Sequence, residues 1–255
     1  MYYTRLPDHT SPGFNENAHF SLFKKNNIIF NATSSQSHCD KHVGCLSLKT
    51  VVSGQEWYSI NNRWVAVRPG QFLILNDDQQ YGCRIDKGIQ VHTRSVFFKK
   101  EFASAVFHDA LRGEEALLDR PFAQREITLE FFQTLQEIDH ALQLQLSRLM
   151  EVLEKDKYNS DAVDEQLVFM LHHLIRVHRS DKKRQKNIRA SKPTTKKEVF
   201  KRLCIAKDLL HSRYMDKIDL TTIGAEACIS VPQLVRHFKS VFKVSPYQYL
   251  MQIRL

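Results

Sequence analysis

The sequence predicts an α+β fold: a small β-sandwich or barrel, then two amphipathic helices, then an all-α helix-turn-helix unit. Three observations carry this expectation. Apolar and polar residues alternate between residues 40 and 98, the period lengthens to about 3.6 after Phe98, and the chain beyond Arg179 holds capped helical segments together with all the surplus positive charge.

The strands come first. Alternation is clear in Leu46-Ser47-Leu48-Lys49 and in Ile89-Gln90-Val91-His92, and Asn61-Asn62 separates Trp57–Ile60 from Arg63–Val67. Asparagine tolerates the positive φ that a two-residue hairpin requires, so a tight hairpin is expected there. Arg68-Pro69-Gly70 supplies the next turn, and Phe72-Leu73-Ile74-Leu75 reads as a short strand buried on both faces.

Helical spacing begins with a brief segment at Lys100–Leu111 and strengthens from about Glu130, where Leu135, Ile138, Leu142, Leu149 and Leu153 share a stripe. Leu167, Met170, Leu171, Leu174 and Ile175 form a second stripe, opened by Ser160 or Asp161 as N-cap. Such stripes most often cover a sheet or each other; the alternative use is to pair two chains. Residues 179–197 hold nine Lys and Arg among nineteen, which in composition is a linker.

Composition narrows the class of protein. A chain of 255 residues that is 42% hydrophobic can build one large or two modest domains. Five scattered cysteines (Cys39, Cys45, Cys83, Cys204 and Cys228) form no CxxC pair and read as reduced cytosolic thiols. The N-terminus lacks signal-peptide order, and no stretch approaches the roughly 18 apolar residues of a membrane span. A cytoplasmic chain without membrane contact is expected. Charge is asymmetric: from Arg179 to Leu255 there are 18 Lys and Arg against 6 Asp and Glu, a net of +12, which leaves −3 for residues 1–178 out of +9 overall. A segment that neutralises phosphates has this footprint, although a solvated basic face shows it too.

The C-terminal residues separate those two readings. A helix from about Lys196 to Arg213 presents Val199, Leu203, Ala206 and Leu210 on one side. A short helix over Leu220–Ala227 follows, capped by Asp219, with Gly224 and Ala225 small enough to let the next helix cross closely. Ser230 then caps a helix with Pro232 in its first turn. Leu234, Phe238 and Val241 or Phe242 face inward, leaving Val231, Pro232, Gln233, Val235, Arg236 and Lys239 outside. In a helix-turn-helix this outer face enters the major groove, where Arg236 would bond guanine and Lys239 and Lys243 would meet phosphates. Ser245-Pro246 starts one more helix, running to Leu255 with Leu250 and Ile253 apolar.

These residues resemble the first helix-turn-helix of AraC/XylS-type bacterial transcription regulators. The resemblance rests on Leu234, Arg236, Phe238, Lys239, Ser245, Pro246, Tyr249, Leu250, Arg254 and Leu255 at the family's spacing, and covers about sixty residues. Less specifically, the β-rich part is similar to the family's cupin-like sensor domains. Lys243 stands where the family usually has glycine in a left-handed conformation, at a cost of about 1 kcal/mol if that conformation is kept. The family carries a second helix-turn-helix after the Arg-Leu helix, so the resemblance covers the first one only. The implied organisation is a cupin-like sensor domain at 1–125, a helical dimerisation or packing region at 126–178, a basic linker at 179–195 and the DNA-binding unit at 196–255. The implied partners are double-stranded DNA, a small-molecule effector, RNA polymerase and a second copy of the chain; no cofactor is implied.

Two other classes compete. A cupin-type metal enzyme would need converging ligands, for which His38, Asp40, His42 and His92 are the candidates, but Lys41 would oppose a cation and isolated histidines are more often not ligands. No phosphate loop or nucleophile elbow is present, and no enzyme is expected. A dimerisation or ligand-sensing module without competent DNA binding would have lost groove-facing side chains, whereas Arg236 and Lys239 are intact. Trp57, Tyr58 and Trp64 would either line an effector pocket or, more simply, fill the barrel.

Overall fold

The structure, a computed structural model, describes residues 1–9, 11–111, 127–155 and 160–254, with only the backbone of Asp40. It divides into two compact units, Met1–Arg176 and Val177–Leu255. The expected boundary at 125–126 lies outside the described residues, as does Leu255.

The first unit is a β-sandwich. Ten strands occur among the described residues: β1 (Tyr2–Tyr3), β2 (Ile28–Ser34), β3 (Ser37–Val43), β4 (Ser47–Ser53), β5 (Glu56–Ile60), β6 (Arg63–Val67), β7 (Gln71–Leu75), β8 (Gln80–Ile85), β9 (Val91–Phe97) and β10 (Gln136–Glu137). One sheet runs β1-β2-β9-β4-β7-β10 and the other β3-β8-β5-β6, antiparallel throughout except at β1–β2. The β5–β6 hairpin turns at Asn61 and Asn62, with φ of 49° and 61°, as the expected turn requires. Gly70 has φ 80° in the following turn, which the Gln71 amide closes by donating to the Arg68 carbonyl. β7 is buried on both faces from Phe72 to Leu75. Leu73 and Leu75 pack in the core with Val51, Tyr58, Ile60, Val65 and Val67, while on the other side Phe72 meets the ring of His173.

Several elements lie outside the sequence expectations. Strands begin at β1 and β2, ahead of residue 40, and β3 contains the His38–His42 stretch. Helix α1 (Glu16–Lys25) was not anticipated: Asn15 caps it by accepting from the Ala18 amide at 2.9 Å, and Phe23 is buried beside Ile28, Phe30 and Phe97. Helix α2 (Lys100–Leu111) matches expectation.

Helix α3 (His140–Lys155) starts ten residues after the point where the helical stripe was read. Asp139 sets the start by accepting from the Leu142 amide at 2.8 Å. Leu135 sits in the sandwich core and only coincides with the helical spacing; Leu142, Leu149 and Leu153 are buried on α3 with Leu146 and Met150. Helix α4 (Ser160–Lys186) opens at Ser160 and buries its whole stripe from Leu167 to Ile175. Both stripes are therefore consumed within the chain, and of the large apolar residues on these helices Leu144 and Phe169 are exposed.

The stretch 179–195 is not a linker over its length. Helix α4 continues to Lys186, because Lys and Arg are good helix formers whose charges stay solvated, and Arg184 pairs with buried Asp181 at 3.3 Å. Helix α5 (Pro193–Ser212) starts with proline in its first turn, three residues before the expected point, and Phe200 fills the inward position expected of Val199. Helices α6 (Leu220–Glu226), α7 (Val231–Phe242) and α8 (Pro246–Arg254) complete the second unit. No helix among the described residues is long and apolar enough to cross a membrane.

Candidate functional site

Each unit offers one site. In the second, α6 is capped by Asp219, which accepts from the Thr221 amide at 2.8 Å. The turn into α7 is tight: the Ile229 amide donates to the Gly224 carbonyl at 2.8 Å, and Cys228 holds φ 53°. A Cβ on Gly224 would stand 2.7 Å from the Ile229 carbonyl oxygen, so only glycine lets the chain pass. Ser230 caps α7 in extended conformation, but its hydroxyl makes no capping bond, contrary to expectation.

On α7, Leu234, Phe238 and Val241 are buried, and Phe238 packs against Phe242 and Tyr249. Tyr249 is held in turn by a hydrogen bond with His211 at 2.7 Å. Pro232, Gln233, Val235, Arg236 and Lys239 are exposed, and Val231 is half-buried. His237, unnoticed in the sequence, is buried on the inner side; desolvation, then the Arg236 charge, lowers its pKa, so its ring is neutral at pH 7 and lies 3.4 Å from the Arg236 guanidinium. Lys243 ends the helix in the left-handed conformation with φ 69°, as a glycine would, and its ammonium donates to the Ser240 carbonyl at 2.9 Å. That amine, which the sequence reading assigns to a phosphate, is instead engaged at the helix end.

Arg254 closes the unit by donating to the carbonyls of Tyr214 and Asp216 at 2.6 and 2.7 Å. These bonds give Arg254 a scaffold role.

The first unit encloses a cavity of about 440 Å³. Phe20, Phe23, Phe30 and Phe97 make its apolar wall. Two charged residues reach it from the sheets. Lys49 on β4 is 3% exposed and sets its ammonium over the Phe97 ring at 3.4 Å. Burial lowers its pKa to about 8. Glu56 on β5 accepts from the Thr93 hydroxyl at 2.7 Å; burial raises its pKa, against the pull of that bond and of Lys49. A buried cation and a buried carboxyl in one cavity cost stability unless a partner compensates them.

Sequence reasoning found little of this. Tyr58 does line the cavity, but Trp57 is tied to Asp86 at 3.0 Å and Trp64 is exposed beneath Arg84. Lys49 and Glu56 are marked only by falling at inward positions of strands, a signal visible once the sheet register is known.

The four metal candidates are not brought together. His38 is exposed, His92 bonds to Asn31 at 2.8 Å, His42 faces the cavity, and the Asp40 side chain lies outside the described residues. Among the described residues no group of three or more His, Cys, Asp or Glu is placed to hold a metal ion.

Residues 46–172 match the family described as the AraC-like ligand binding domain. No curated protein matches the sequence. Among solved structures, ToxT from Vibrio cholerae O395 bound to (E)-4-(8-methylnaphthalen-1-yl)but-3-enoic acid is 12% identical with TM-score 0.39, over 89% of this chain and 98% of that one. Unsaturated-fatty-acid-bound wild-type ToxT from Vibrio cholerae strain SCE256 is 11% identical with TM-score 0.37, over 89% and 94%. The AraC-like transcriptional activator CuxR is 15% identical with TM-score 0.34, over 83% and 66%.

Proposed function

The chain belongs to the AraC-type regulators, with a cupin-like ligand-binding domain as its N-terminal part, and from that premise we propose that it is a cytoplasmic regulator that binds DNA through α7 under control of a small molecule held in the cavity. The observation that carries the DNA half is the division of α7 into two faces. Leu234, Phe238 and Val241 are spent on packing, and Pro232, Gln233, Val235, Arg236 and Lys239 stand in solvent near the N-terminal end that meets base edges in a helix-turn-helix. Arg236 reads guanine in bidentate fashion, Gln233 contacts a neighbouring base, and Lys239 contacts phosphate. Val231 and Lys243 flank this surface, the latter after release from Ser240.

The ligand half rests on the cavity. Phenylalanine walls with Lys49 and Glu56 at the polar end fit a small, largely apolar molecule carrying a polar group. Two copies pair through the outward sides of α3 and α4, where Leu144 and Phe169 are exposed, doubling the contacts with DNA and with RNA polymerase at a promoter.

Fluorescence anisotropy of labelled duplexes selected from a random pool tests the DNA half. Affinity should fall with log salt at a slope of several, because each phosphate contact releases about 0.9 counterion. A chain that selects no sequence, or binds all duplexes equally at every salt concentration, overturns the proposal.

A further inference from the structure

The cavity contains a second arrangement that ligand binding does not use. Cys39 on β3 and Cys83 on β8 are direct partners across an antiparallel pair of strands. In such a pair the Cα atoms are about 4.5 or 5.5 Å apart, inside the window of about 4.4–6.8 Å that a disulfide requires. Both side chains line the cavity, and the Cys83 thiol donates to the Cys39 sulfur. Between Cys39 and His42 the register slips by a β-bulge, so these residues, three apart, both face inward. His42 Nδ1 stands 3.3 Å from the Cys39 sulfur, and His9 Nδ1 3.8 Å from its other side.

We propose that Cys39 and Cys83 are an oxidant-reactive dithiol, converted by hydrogen peroxide that enters the cavity into a reversible Cys39–Cys83 disulfide. This goes beyond the ligand and DNA reading and does not rest on it. Cys39 is the attacking group. Hydrogen bonds from Cys83 first, then from His42 and His9, hold its thiol well below the ordinary range, whereas the bond to Cys39 and burial push Cys83 up. The third cavity thiol, Cys45, is pushed by burial up to about 12 and stays inert.

The chemistry balances. The Cys39 thiolate attacks one peroxide oxygen; an S–O bond forms, the O–O bond breaks, and the departing hydroxide takes from the neighbouring imidazole the proton that Cys39 gave up. The Cys83 sulfur then attacks the Cys39 sulfur; the S–S bond forms, the S–O bond breaks, and hydroxide leaves with the Cys83 proton as a second water. Two electrons pass from two sulfurs to one peroxide.

The test uses the reduced full chain, treated with less than one equivalent of hydrogen peroxide, alkylated, digested and read by mass spectrometry. The expected product is a peptide pair joined through Cys39 and Cys83, formed on the order of tenfold faster than oxidation of exposed Cys228 and reversed by a dithiol reductant. In Cys83→Ser a sulfenic acid trapped by dimedone should accumulate on Cys39. Earlier oxidation of Cys228, a bridge to another cysteine, or the absence of any bridge in the wild-type chain overturns the assignment. Neither DNA nor ligand enters this readout, so its failure is distinct from failure of the regulatory reading.

Discussion

In the β-sandwich, Lys49 and Glu56 are withdrawn from water into a cavity, whereas on α7 Arg236 and Lys239 stand in solvent and the interior is held by Leu234 and Phe238. The contrast separates two ways of building a site. A site that meets a large polyanion keeps its charges solvated until contact, so they cost the free chain little, and packing beneath them can be optimised independently. A site that encloses a small molecule has to bury its polar groups in advance, and the unliganded fold carries that penalty. Stability and binding should therefore be separable in the helical unit and opposed in the sandwich.

The most severe way to break this contrast is Phe238→Ala. Its ring is fully buried against Phe242 and Tyr249, so its loss should cost about 3–5 kcal/mol and remove DNA binding together with structure, as seen in thermal melting of the full chain. Gly224→Val should follow closely, by about 2–4 kcal/mol, because its side chain would be forced onto the Ile229 carbonyl.

Lys49→Met sharpens the contrast in the opposite direction. Removing a buried cation should stabilise the chain by about 1–3 kcal/mol at pH 7 while weakening capture of polar ligands, measured by denaturant titration beside calorimetry. The pH dependence follows with a definite sign. Because the folded pKa of Lys49 is about 8 and the unfolded one 10.5, the unfolded chain binds more protons between those values. The contribution of Lys49 should then make stability rise with pH across that window, and the rise should vanish in Lys49→Met. A flat difference between the two chains would mean that the ammonium is not desolvated.

Arg236→Ala tests the separation claimed for the helical unit. Melting should change by less than about 0.5 kcal/mol, while affinity for the selected duplex should fall by about 1–3 kcal/mol with relaxed preference at one base pair. Lys243→Gly should have the smallest effect, a stabilisation of about 1 kcal/mol from relief of the left-handed conformation.

The legible parts of the fold share one property: their causes are local in the chain. The Asn61-Asn62 turn, the α2 helix, the Asp219 cap, the narrow turn at Gly224 and the two faces of α7 each follow from residues within four or five positions of one another. Where a local pattern had two possible owners, the reading went astray. Leu135 fits a helical stripe but belongs to a sheet core, and the Lys- and Arg-rich stretch after Arg179 has the composition of a linker but continues as helix to Lys186.

By itself the sequence determined the order of sandwich and helices, the concentration of positive charge beyond Arg179, and a helix carrying Arg236 on the side opposite Leu234 and Phe238. Helical neighbours are set by a repeat of 3.6 residues, which can be read along the chain. Tertiary structure alone decided that Lys49, Glu56, Cys39 and Cys83 look into one cavity, and that β3 is bulged so that His42 joins them. Strand neighbours come from register between distant segments, and a slip of one residue would have turned each of these side chains the other way.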